Sequence, residues 1–164
     1  VATLILICGL TGSGKTTVAK QLEAQTGAKR FCPDEWLVTL VGSKNDRSNL
    51  DRYRQAVEKL QKEQALDMLR RNIDVILEFG SWRQSERGHI LERAHAVGAK
   101  VHLIFLDVDI ETIKQRILNR NENGGPADIP IEAHEIDKWA TWLEPPDTLE
   151  GDRYDHFEKR IIRP

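Results

Sequence analysis

The stretch "TLILICGLTGSGKTTVAKQL", residues 3–22, sets the frame for reading the rest of the chain. No polar residue interrupts Leu4–Cys8, the form of a strand buried on both faces. A turn with three glycines, Gly9, Gly12 and Gly14, follows, then Lys15, Thr16, Thr17 and a helical pattern. Gly9 to Thr16 satisfies G-x-x-x-x-G-K-[ST] at every fixed position. Glycines let backbone N–H groups close on a phosphate with no Cβ between, and the N-terminus of the next helix favours negative charge. Lys15 brings a cation to the end of a triphosphate, and the Thr16 hydroxyl is placed to hold Mg²⁺. Thr11, Gly12, Ser13 and Thr17 complete the expected cradle. The alternative, a glycine-rich turn with Lys15 in solvent, fits poorly with a match lodged between a strand and a helix start.

With 164 residues, 30 % of them charged and 40 % apolar, the chain is expected to fold as one domain, residues 1–164. The formal net charge of −2 speaks against a broad nucleic-acid footprint. Cys8 and Cys32 sit in strand-like runs, which suggests reduced thiols and a cytoplasmic setting. The longest apolar run, Leu4–Leu10, is far short of a membrane span and lacks the basic lead-in of a signal peptide. The five histidines show no metal-ligand spacing, so the metal expected is Mg²⁺ carried in with the nucleotide.

Further strands are expected at Ala28–Cys32, Asp74–Gly80 and Lys100–Val108, with a short edge strand in "EKRIIRP". Helices are expected at Lys15–Gln25, Leu50–Arg71, Gln84–Val97, Ile110–Arg120 (with Asp109 as N-cap) and Ile131–Leu143. The alternation implies an α/β fold, a parallel sheet flanked by helices, with its ligand outside the carboxyl ends of the strands. The residues after each strand therefore carry the chemistry. Ser43-Lys44-Asn45-Asp46 comes near the guanine-reading [NT]-K-x-D, but it begins with serine and lies in an early loop. It is read as a decoy.

Phosphoryl transfer to a hydroxyl needs a carboxylate at a strand end facing the γ-phosphate. Asp34, fixed behind Pro33, is the candidate general base; it could also cap a short helix through Trp36 and Leu37. Glu78, ending the third strand, could orient a magnesium-bound water or touch the acceptor, or be a buried acid paired with a base. Trp36 and Trp82 follow these two carboxylates and are expected either to wall an acceptor pocket for an aromatic or fused-ring compound, or to pack in the core. Asp107 is read as bracing the loop before its helix. Arg83 and Arg87 could bind an anionic substrate group, though pairing with Glu86 or Glu92 ranks first.

"CPDEWL", "VILEFGSW", "RILNRN" and "WLEPP", taken with the glycine turn, resemble the small kinases of the AAA_33 type, similar to zeta-toxin, chloramphenicol phosphotransferase and polynucleotide 5′-kinase. The resemblance implies an adenylate-kinase-like P-loop fold with a short lid and ATP-dependent phosphorylation of a hydroxyl. It puts Asp34 at the general base. It also favours reading Arg116 and Arg120, four apart before the loop "NENGGPADIP", as phosphate-reaching arginines of a lid over residues 116–135. Leu37 stands where nucleic-acid kinases of this kind often carry arginine, which weakens a polynucleotide acceptor. A small-molecule hydroxyl, on an antibiotic or nucleoside-like compound, is the expected acceptor. The rivals are a polynucleotide 5′-hydroxyl and a non-catalytic ATP-binding module. Oligomeric state has no signal.

Overall fold

The computed structural model describes residues 1–163. Its centre is a five-stranded parallel sheet in the order β2-β3-β1-β4-β5. Strand β1 (Thr3–Cys8) lies between β3 (Val75–Leu77) and β4 (Lys100–Val108), with Leu6 opposite Leu77 on one side and Leu103 on the other. Both faces of β1 are covered, which is why Leu4–Cys8 shows no alternation. Strand β2 (Lys29–Phe31) is one edge, and β5 (His156–Ile162) is the other.

Helix α1 (Lys15–Thr26) starts directly from the glycine turn and stops at Gly27, whose φ of 74° closes the last turn. Helix α2 (Pro33–Val41) has proline at its start and Asp34 and Glu35 in its first turn, the arrangement that suits a helix N-terminus. The long α3 (Arg47–Arg70) begins three residues before the expected Leu50, because the Asp46 carboxylate accepts from the Asn49 N–H. Helix α4 (Gln84–Ala96) leads to β4, and Asp109 caps α5 (Ile110–Asn123) as expected. Helix α6 (Ala133–Ala140) is shorter than the expected Ile131–Leu143: a reciprocal Glu132–Glu135 capping box fixes its start. The one-turn α7 (Thr148–Gly151) carried no legible sequence signal.

The third strand is likewise shorter than expected. After Leu77 the chain leaves the ladder, so Glu78, Phe79 and Gly80 line a cleft. No helix among the described residues is long and apolar enough to cross a membrane.

Candidate active site

A cleft of about 1630 Å³ opens where β1, β2 and β3 end, lined by Thr11–Lys20 on one flank and by α3 and α4 on the other. On the first flank, Gly12 and Gly14 have φ of 86° and 99°, a left-handed conformation that strains any residue with a Cβ. A Cβ on Gly12 would also press within 3.1 Å of Ile117. The N-terminus of α1 has no side-chain cap, so its N–H groups face the turn unclaimed. The Ser13 hydroxyl is buried without a partner. Lys15 Nζ donates to the carbonyls of Gly9 (3.0 Å) and Leu10 (2.9 Å) and to no carboxylate. Burial pulls its ammonium down to about 8. Unspent donors and an under-solvated cation are what an incoming triphosphate would satisfy.

Thr16 Oγ1 donates to Glu78 Oε1 at 2.6 Å. That bond occupies the hydroxyl hydrogen and leaves an oxygen lone pair for a cation, so the pair fits Mg²⁺. The other Glu78 oxygen accepts from Arg30 Nη1 at 2.9 Å, and the Glu78 side chain is only 2 % exposed. Glu78 is thus a buried acid paired with a base, the second of its two sequence readings, and it also accepts from Thr16. Arg30 also binds Glu35 on α2 and Glu23 on α1, tying the cradle helix to the turn that carries Asp34.

Asp34 lies in the first turn of α2 and lines the cleft. Its Oδ1 is held by Arg54 Nη2 at 2.9 Å. Arg54 comes from the middle of α3, twenty positions away, and no local pattern singled it out. Its neighbour Glu58, at 4.0 Å, also faces the cleft, and burial pushes the Glu58 carboxyl up.

Arg116 leans over the glycine turn, with Nη1 3.3 Å from the Ser13 carbonyl and 3.4 Å from that of Gly12. Arg120, one turn on, lines the same cleft; its buried Nε makes no hydrogen bond but lies 4.0 Å from Asp128 Oδ1, and its Nη2 reaches the Ile129 carbonyl at 3.5 Å. The segment joining α5 to α6 is moored to the α2–α3 side by Lys44 on the Gly125 carbonyl (3.1 Å) and Arg47 on Glu135 (2.7 Å). The decoy motif thus has structural work: Lys44 meets this segment and Asp46 caps α3.

With this geometry in view, residues 4–146 match the AAA_33 family of AAA domains. The chain belongs to that family. No curated protein sequence matches it. A protein of Chloroflexus aurantiacus J-10-fl, described only as a candidate kinase, superposes with a TM-score of 0.76 at 17 % identity, over 98 % of this chain and 88 % of that one. Chaetomium thermophilum Kti12, in complex with ADP-AlF3, gives 0.68 at 18 % identity over 96 % and 88 %. A gluconokinase from Sinorhizobium meliloti 1021 gives 0.61 at 14 % over 98 % and 82 %. These likenesses establish for this AAA_33 chain a P-loop kinase fold.

Two expectations, for Trp36 and Arg87, need correction. Trp36 is not among the cleft-lining residues: its ring packs edge-on against Phe31 at 6.0 Å, because α2 turns that face inward. Trp82 does line the cleft, but its Nε1 donates to the Gly9 carbonyl at 2.9 Å and its ring stacks with Trp139 and Trp142. Arg87 pairs with neither Glu86 nor Glu92. It is fully buried, forks onto both oxygens of Glu150, and donates to the carbonyls of Ser81, Trp82 and Glu144. Glu92 meets Arg153 instead. The partner of Arg87 lies 63 positions along, beyond any local reading.

Proposed function

We propose that this AAA_33 protein is an ATP-dependent kinase that moves the γ-phosphoryl group to a hydroxyl of a small molecule. The observation that carries the reading is the placement of Asp34. It opens into the cleft shared with the cradle, with Arg54 on Oδ1 and, among the described residues, no bonded partner on Oδ2. An acceptor hydroxyl donating to Oδ2 would be aligned by a carboxylate that Arg54 prevents from rotating.

In this mechanism the cradle amides, Ser13 and Lys15 hold the triphosphate. Thr16, with Glu78 behind it, would hold Mg²⁺, which would supply positive charge to the phosphate oxygens. The acceptor oxygen bonds to the γ-phosphorus as the bond to the β,γ-bridging oxygen breaks. ADP leaves with the electron pair and Asp34 takes the hydroxyl proton. The transition state is loose, so a carboxylate held in place suffices as base. Arg116 and Arg120 supply positive charge beside the group in transit.

Asp34→Asn tests this directly. Transfer of radiolabel from ATP to an acceptor should fall by about 10²-fold or more while ATP affinity stays within about twofold. Unchanged transfer would remove Asp34 from the chemistry, and a chain that transfers to no hydroxyl at all would be a nucleotide-binding module.

A further inference from the structure

The cleft carries aromatic rings at Phe79, Trp82, Trp139 and Trp142, but the flank that α3 and α4 present is charged. Of the residues that α3 and α4 contribute to the lining, only Ile90 is apolar, and it is 8 % exposed. Binding a flat apolar compound there would strip water from charged groups without replacing its hydrogen bonds.

Cations and acids on this flank are equal in number but unevenly paired, because two arginines each hold two acids. Arg47 is spent on Asp51 and Glu135, Arg54 on Asp34 and Glu58, and Arg93 on Glu63. Lys59, Lys62 and Arg83 face the cleft with no carboxylate oxygen in ion-pair range among the described residues, against Glu86 as the one acid so placed. Lys62 is the most enclosed of the three. It is half-buried, with Nζ 5.4 Å from the centre of the Phe79 ring, one residue past Glu78.

Spacing along α3 adds a length. Arg54, which holds Asp34, and Lys62 are eight residues apart, about 12 Å of helix. Glu58 stands midway on the same lining. We propose that the acceptor is a small polyhydroxylated acid. Its reacting hydroxyl sits at Asp34, intermediate hydroxyls donate to Glu58, and a carboxylate or phosphate at the far end meets Lys62, with Arg83 opposite. This rests on the kinase reading and names the substrate class of the same site.

The test titrates the protein, held with Mg²⁺ and a non-hydrolysable ATP analogue, with matched sets by calorimetry: glucose, gluconate and glucose 6-phosphate; glycerol, glycerate and glycerol 3-phosphate. The charged member of at least one set should bind about tenfold tighter than its neutral parent, the worth of one charge-assisted contact. Lys62→Gln should abolish that advantage, Lys62→Arg should keep it, and the neutral parent should be unaffected. The carboxylate and phosphate arms identify which anion is read. Equal binding of parents and acids, no binding by any member, or an advantage that survives in both Lys62→Gln and Arg83→Gln would overturn the proposal. Labelled transfer from ATP to the same compounds, with no analogue present, tests the kinase reading separately. Charge-selective binding without transfer sinks that reading and not the subsite; transfer without charge selectivity sinks the subsite alone.

Discussion

In the nucleotide half of the cleft, the cradle is one run of eight residues, Gly9–Thr16, and many of its polar groups are backbone. In the half proposed for the acceptor they are side chains of Asp34, Arg54, Glu58 and Lys62, drawn from two helices. A backbone cradle needs only small residues and a fixed φ, so it tolerates little change and reads the same in any chain that holds a triphosphate. A side-chain wall can be rewritten one residue at a time. On the proposed reading the difference teaches where constancy and specificity reside: the turn after β1 would set what is spent, and α3 what receives it.

The largest effect should come from breaking the first half. Lys15→Met removes the cation and keeps the length of the side chain. Labelled transfer should drop by about 10³-fold. The melting temperature should not fall, because a charge that burial disfavours has been removed. A comparable loss of fold by circular dichroism would mean that Lys15 serves the turn rather than the phosphate.

Arg30 joins the halves, and its removal should sharpen the contrast. Arg30→Gln frees one oxygen of Glu78 and loosens the Asp34 turn by way of Glu35. The Mg²⁺ concentration that half-saturates nucleotide binding should rise about tenfold, as for other groups that orient a metal site from behind. Nucleotide affinity without Mg²⁺ should stay put. Arg30→Lys should recover part of the effect, since ammonium keeps the charge but not the fork. Equal loss with and without Mg²⁺ would reduce Arg30 to a scaffold residue.

The two halves also differ in how far they could be read beforehand. The parallel α/β sheet, the glycine turn after β1 and the place of Asp34 just after β2 were legible because each depends on local chemistry: apolar runs, glycines at turns, a proline setting a helix start. Arg54, Arg30 and the buried Arg87–Glu150 pair were not, because each meets its partner through the fold rather than the chain. Trp36 shows the same limit from the other side. Its position two residues past Asp34 suggested a shared pocket, but on a helix i and i+2 point to different faces. Pro33 begins a helix there, so the two side chains part.

The third effect is a pH dependence confined to the nucleotide half. Lys15 in the free protein titrates at about 8, and a bound triphosphate would draw it back up. Binding therefore takes up a proton above that value. Affinity for nucleotide should be flat below pH 7 and fall about tenfold from pH 8 to pH 9 and above, while acceptor affinity holds. Calorimetry in buffers of different ionisation enthalpy would count the proton. Lys15→Met should show neither the slope nor the proton uptake.

The smallest effect falls on Trp82, which belongs to the acceptor side by sequence and to the nucleotide side by contact. It follows β3, yet its indole N–H is spent on the Gly9 carbonyl, the same atom that receives Lys15. Gly80 must lack a Cβ for the ring to lie there, since one would come within 2.6 Å of Nε1. Trp82→Phe keeps most of the packing against Trp139 and removes that one hydrogen bond, worth about 1 kcal/mol. If Trp82 braces the turn, the cost should appear as a lower melting temperature and a nucleotide affinity weakened by about two- to fivefold, with the acceptor KM unchanged. If it is instead a wall for the acceptor, the acceptor KM should rise and nucleotide affinity should hold. The indole geometry favours the brace, and the split between the two constants decides it.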